Sequence, residues 1–140
     1  ALVAALPNTS IVIVSQSQNT SFNNGRWVGR LTSLDIAYMY KIMVSTACEV
    51  ALEGVPVIPS EHPISIVNGI NWMAFPLSEN KTLTNAFAGF ASDGDIVQSQ
   101  SINSRFGSGR WLGQLNTLEP GHGYIYKSNA TNSRVFFFHY

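Results

Sequence analysis

Charge is scarce in this chain. Only 11% of its residues are Asp, Glu, Lys or Arg, against roughly 25% in an ordinary soluble domain. Eight basic residues cancel eight acidic ones, and without a basic excess there is nothing to release counterions from phosphates. Nucleic acid is therefore not an expected partner. Cysteine is nearly absent as well. Cys48 stands alone, which excludes an intrachain disulfide and any cysteine-based zinc site. Within Ser45-Thr46-Ala47-Cys48-Glu49-Val50 it reads as a small buried hydrophobe at a strand position. Long apolar runs are missing too: Ala1–Leu6, Ile11–Val14 and Val135–Phe138 are the longest, far short of the ~20 residues that span a bilayer. No membrane span is expected. No signal peptide is visible, and the opening at Ala1 instead of Met points to a processed or excerpted product.

What is present is hydrophobic and hydroxylated. Apolar residues make up 45% and aromatics 11%, which rules out a disordered chain. Ser, Thr and Asn together supply 36 of the 140 residues. A neutral surface of hydroxyls and amides resists self-association poorly, so such a protein is either coated with something hydrated or built to assemble. Four sequons, at Asn8, Asn19, Asn80 and Asn129, make N-linked glycans the candidate coat.

The two halves repeat at a spacing of 84. Ser15-Gln16-Ser17 returns as Ser99-Gln100-Ser101, Asn19 as Asn103 and Phe22 as Phe106. Gly25-Arg26-Trp27 returns as Gly109-Arg110-Trp111, and Gly29, Leu31 and Leu34 as Gly113, Leu115 and Leu118. Between positions 12–34 and 96–118, 11 of 23 residues are identical without a gap, too many for chance. Beyond Leu34 the best match slips by two, setting Tyr38-Met39-Tyr40-Lys41 against Tyr124-Ile125-Tyr126-Lys127.

The second copy gives the secondary structure. Asn71–Leu77 alternates large residues and reads as a strand ended near Pro76. Leu83, Phe87 and Phe90 fall at helical spacing, with Thr82 as N-cap and a stop by Ser92-Asp93-Gly94. Segments 96–101, 103–106, 110–115, 123–127 and 134–139 read as strands. Gly107-Ser108-Gly109 and Pro120-Gly121 are turns between them. The predicted fold is mainly β: two tandem, small antiparallel β-sandwich or barrel modules, each with one short helix. Residues 1–54 form the first module, 55–63 a proline-rich linker and 64–140 the second.

The first module is incomplete. Leu6 matches Phe90, so Ala1–Leu6 would be the end of its helix, and the counterpart of Asn71–Leu77 falls before Ala1. A module without that first strand forgoes burial of the equivalents of Trp72, Phe75 and Leu77, worth about 1.5–3 kcal/mol each. It also carries an open sheet edge, which proteins normally avoid. A strand from a neighbouring copy, or from a preceding repeat, would fill the gap, unless the module has rearranged to need none. Contacts of that head-to-tail kind that do not close on themselves give filaments. Candidate assembly residues are Ala1, Leu2, Ile11 and Ile13 around the gap. Candidate donors are 64–68 and the tail, with Val135, Phe136, Phe137 and Phe138; the tail also reads as the second module's own last strand.

The patterns Asn71-Trp72-Met73-Ala74-Phe75-Pro76-Leu77, Asp95-Ile96-Val97-Gln98-Ser99-Gln100, Gly109–Leu115 and Leu118-Glu119-Pro120-Gly121-His122-Gly123-Tyr124 resemble a tandem repeat of long secreted proteins of protists, algae and some bacteria. The resemblance covers most of 68–127 and, less fully, 11–41. It implies extracellular architecture and is compatible with a proteinaceous fibril, and it brings no catalytic activity. The first copy departs from the pattern, with Ile11 at the place of Asp95 and no Pro-Gly-x-Gly turn.

Catalytic signatures are missing. There is no G-x-S-x-G, no P-loop and no G-x-G-x-x-G after a strand. His62, His122 and His139 lie in a linker, a turn and a terminal strand, none at metal-ligand spacing. Asp93-Gly94-Asp95 clusters oxygens that would suit calcium, but its counterparts Thr9 and Ile11 carry no carboxylate. Neither enzyme activity nor a metal or cofactor is expected. Gln16 and Gln100 read as strand residues lining a polar interior or an interface. The expectation is a structural subunit of an extracellular filament or surface fibre, assembling with itself. The alternative is a secreted carbohydrate-binding module in which Arg26 with Trp27, and Arg110 with Trp111, form sugar-stacking platforms, against the plainer reading of both tryptophans as anchors of each unit's core.

Overall fold

The computed structural model describes residues 10–49 and 54–140. The expected helix end at 1–6, with the assembly residues Ala1 and Leu2 and the sequon at Asn8, lies outside them. The fold is mainly β, built from antiparallel sheets. The chain divides into two compact units at 57/58, with Asp35–Met39 grouped with the second.

In the first unit, four strands make one sheet: β1 (Ile11–Val14), β2 (Asn19–Asn23), β3 (Arg26–Gly29) and β4 (Lys41–Val44), in the order β3-β2-β1-β4. The run Ile-Val-Ile-Val is β-branched throughout, which suits a pleated surface. Its burial alternates: Ile11 and Ile13 are enclosed. Ser15-Gln16-Ser17-Gln18 is a turn, not a strand. Ser15 N donates to Gln18 O, and Ser15 Oγ accepts from Gln18 N at 2.9 Å, so the hydroxyl replaces a ladder partner. Asn24 and Gly25 both have positive φ, 50° and 77°, the primed turn whose twist matches a hairpin.

The second unit repeats these devices. Strands β5 (Ile64–Ile66) and β6 (Gly69–Ala74) are followed by β7 (Lys81–Thr82) and the helix α1 (Leu83–Ala86). Then come β8 (Ile96–Gln98), β9 (Asn103–Gly107), β10 (Arg110–Gly113), β11 (Thr117–Leu118), β12 (Gly123–Ser128) and β13 (Arg134–Phe136). The main sheet runs β10-β9-β8-β12-β6, and β11 pairs with β7 and β13 with β5 in two-stranded ribbons. Ser99 caps the β8–β9 turn as Ser15 caps the first. Ser108 and Gly109 take φ of 53° and 74°. The expected helix over 82–90 is shorter. Thr82 caps it by accepting from Asn85 N, but Phe87 leaves helical geometry and Gly89 turns left-handed at φ 71°. The expected strand 71–77 stops at Ala74, although Phe75 and Leu77 stay buried, and 134–139 is strand only to Phe136.

The core of this unit is aromatic. Phe87 sits among Tyr126, Phe136, Trp111 and Phe138, with ring centroids at 5.0, 5.1, 5.8 and 6.1 Å. Phe138 also meets Phe75 edge-on at 5.3 Å. Segment 35–39 completes this unit. Ala74 N donates to Ala37 O at 3.1 Å, and Met39 packs where Gly123 has no side chain.

The registers overturn one expectation. β12 pairs with β8 as Ile125↔Gln98 and Tyr126↔Val97, while β4 pairs with β1 as Lys41↔Val14 and Ile42↔Ile13. The structural counterpart of Tyr126 is therefore Ile42, not Tyr40, and the 84-residue spacing continues without the two-residue slip. A shift of two keeps every side chain on its face, so the Tyr-x-Tyr-Lys likeness is compatible with either register and only the ladder decides.

Candidate functional site

Strand for strand, the order β3-β2-β1-β4 matches β10-β9-β8-β12, and the larger sheet adds β6 beyond β12. At the corresponding place, β4 is the last described strand of its sheet. Ser45 N donates to Ser10 O at 3.1 Å. Antiparallel alternation then directs the backbone groups of Met43 toward β1 and those of Ile42 and Val44 away from it. The side chains repeat the picture. Ile42 lies opposite Ile13 and Val44 opposite Ile11, on one face. Ile13 and Ile11 are 2% and 0% exposed, but Ile42 and Val44 are 53% and 40% exposed. At the matching places of the second unit, Tyr126 and Ser128 are buried beside β6.

The residue types follow the same division. Tyr126 and Ser128 belong to a polar cluster centred on Asp95, which is fully buried. Tyr126 OH, Ser92 N and Arg134 donate to Asp95 Oδ2 at 2.5, 2.9 and 3.0 Å, and Asn129 N donates to Oδ1 at 2.7 Å. Burial alone would raise the Asp95 carboxyl. The hydrogen bonds from Tyr126, the Asn129 and Ser92 amides and Arg134 outweigh it and hold the group below its ordinary value. Burial, reinforced by the Asp95 charge, pushes the Tyr126 phenol far up. Arg134 also donates to Phe90 O at 2.6 Å and lies 4.3 Å over the Phe90 ring. In the first unit the same three places hold Ile11, Ile42 and Val44, a wholly apolar set.

Sequence-predicted residues separate accordingly. Ile11 and Ile13 are core residues beside the exposed edge. Phe136 and Phe138 are buried in the second unit's core, so they correct the donor reading of the tail. β13 pairs with β5, which also engages 64–66. Phe137 is half-buried and Val135 is 58% exposed. The paired Arg–Trp platforms do not form. Neighbours in a strand point to opposite faces, and Trp27 turns inward against Phe22 at 5.1 Å while Trp111 turns against Phe106 at 5.2 Å. Arg26 and Arg110 point outward and are exposed. Asp95 spends its oxygens on four protein donors, which leaves Asp93-Gly94-Asp95 no calcium geometry. Cys48 is exposed beyond the end of β4, not buried in a strand. Gln16 and Gln100 occupy exposed turns.

Asn19 and Asn80 are exposed. Asn129 is exposed too, but its side chain donates to Asp93 O at 3.1 Å and lies against Gly94. The exposed pair Ile42 and Val44 was missed from the sequence, because the slipped alignment put Tyr40 in the place of Tyr126. No described helix is long and apolar enough to cross a membrane. Compared with protein-family models, curated proteins and solved structures, the chain matches none.

Proposed function

We propose that this chain is a non-enzymatic structural subunit of an extracellular filament or surface fibre, two modules of one repeat. A strand from a neighbouring copy or a preceding repeat completes the first module at β4. One observation carries the reading. Among the described residues, the sheet that reaches β4 has the strand order of the larger sheet without β6, and its apolar residues Ile42 and Val44 are exposed beside buried Ile11 and Ile13. An exposed apolar edge is a template for strand addition. A charge-poor, hydroxyl-rich surface favours assembly, and the likeness of Trp111–Leu115 and Pro120–Tyr124 to a secreted tandem repeat supports an extracellular setting. Glycans at Asn19 and Asn80 would hydrate such a surface.

Electron microscopy and light scattering of the purified protein test this. Ile42→Lys places a charge on an exposed edge position, a device that blocks edge pairing. The wild type is expected to polymerise, and the variant to remain monomeric with an unchanged circular dichroism spectrum. A wild type that stays monomeric at high concentration, with the outward amides of Ile42 and Val44 slow to exchange, sinks the proposal.

A further inference from the structure

Charge is segregated by secondary structure. Among the described residues no Asp or Glu lies on a strand, whereas Arg105, Arg110 and Lys127 all do. The registers Leu112↔Arg105↔Ile96↔Lys127↔Ile70 set these residues in one row across the five strands. The alternate residues Ser104, Val97, Tyr126 and Met73 are buried, so the row lies on the outer face. Arg105 and Lys127 are separated by β8 alone, about 10 Å at the usual strand spacing. Arg110 lies two residues along β10 from Leu112, on the same face. The next row holds Asn103, Gln98, Ile125 and Trp72. All three cations and both amides are exposed, and no carboxylate pairs with any of the cations among the described residues.

We infer that this outer face binds an anionic polysaccharide of the polyuronate class. Its carboxylates are met by Arg105, Arg110 and Lys127, with Arg able to grip them in a bidentate fork. Gln98 and Asn103 offer both donors and acceptors to ring hydroxyls, and Leu112, Ile96 and Ile125 form an apolar floor for the faces of the sugars. Charge complementarity calls for an anion, since the face carries three positive groups and no negative one, and the amides and apolar residues between them suit sugar rings. Duplex DNA is the poorer fit, because its binding is dominated by phosphate neutralisation and this face supplies three cations. The site belongs to the second unit. At the counterparts of Arg105 and Lys127 the first unit has Ser21 and Met43.

That difference supplies the test. The double variant Arg105→Ser, Lys127→Met installs residues that the first unit already carries on its sheet, at exposed positions, and its thermal midpoint serves as the folding control. Calorimetric titration with alginate, neutral dextran and duplex DNA, at low and at physiological salt, reads the binding. The wild type is expected to bind alginate, more weakly as salt rises, and to ignore dextran. The variant is expected to lose about tenfold or more in affinity, or about 1.4 kcal/mol. Equal binding of dextran, tighter binding of DNA, or alginate affinity unchanged in the variant overturns the proposal. So does loss of self-association in the variant with no loss of alginate binding, which would mark the face as a contact between copies. The readout is independent of whether β4 accepts a strand.

Discussion

Asp95 shows what one residue can organise. Its carboxylate draws donors from Ser92, from Tyr126 and Asn129, and from Arg134, thereby tying the loop before β8 to β12 and β13. Removing one partner of a buried charge pair costs about 3–5 kcal/mol, because the other charge is left uncompensated. Arg134→Met is expected to destabilise the second unit by that order in urea unfolding followed by tryptophan fluorescence. The depressed Asp95 value also sets an acid limit. Its contribution to stability is complete above the unfolded carboxyl value, about 4, and is lost as pH falls through the folded value. The urea midpoint is expected to fall below about pH 4, and less steeply in Asp95→Asn. In the sequence this aspartate stood out only as part of a calcium candidate that its first-copy counterparts argued against. Its actual donors lie 3, 31, 34 and 39 positions away, a separation no local pattern reveals.

At the scale of elements, the glycine of the Trp-x-Gly-x-Leu motif has a physical cause. A Cβ on Gly113 would collide with the Asn103 carbonyl and with Ser104, as one on Gly29 would with Asn19 and Thr20. Asn103 O can then accept from both Gln114 N and Leu115 N, and Asn19 O from both Arg30 N and Leu31 N. Gly109 differs, because its φ is positive but open space surrounds it. Gly113→Ala is expected to cost more than Gly109→Ala, the latter about 1 kcal/mol, in chemical denaturation of the two variants. The turns were legible in the sequence because Ser, Asn and Gly act within a few residues. The β4 register was not, because Tyr38–Lys41 repeats the letters of Tyr124–Lys127 while the backbone ladder pairs its neighbours.

For the whole molecule, the two units differ in how much they enclose. The second buries a cluster of 14 side chains from Ile64 to Phe138, and the described apolar core of the first is Ile11 and Ile13. Local stability follows enclosed apolar contact. In unassembled protein the amides of β1 and β2 are expected to exchange with deuterium at lower urea than those of β8 and β12. Coincident exchange of both sets would show one cooperative unit instead.

Composition, periodicity and the 84-residue repeat were enough to determine a β protein of low charge and its hairpin turns. All of these depend on residues near one another in the chain. The tertiary structure decided the register of β4, the saturation of Asp95, the placing of Phe136 and Phe138 in the second unit's own core, and the outer face whose charged residues are all basic. Each arises where strands distant in sequence come into register, and one alternating pattern of side chains is compatible with several such pairings.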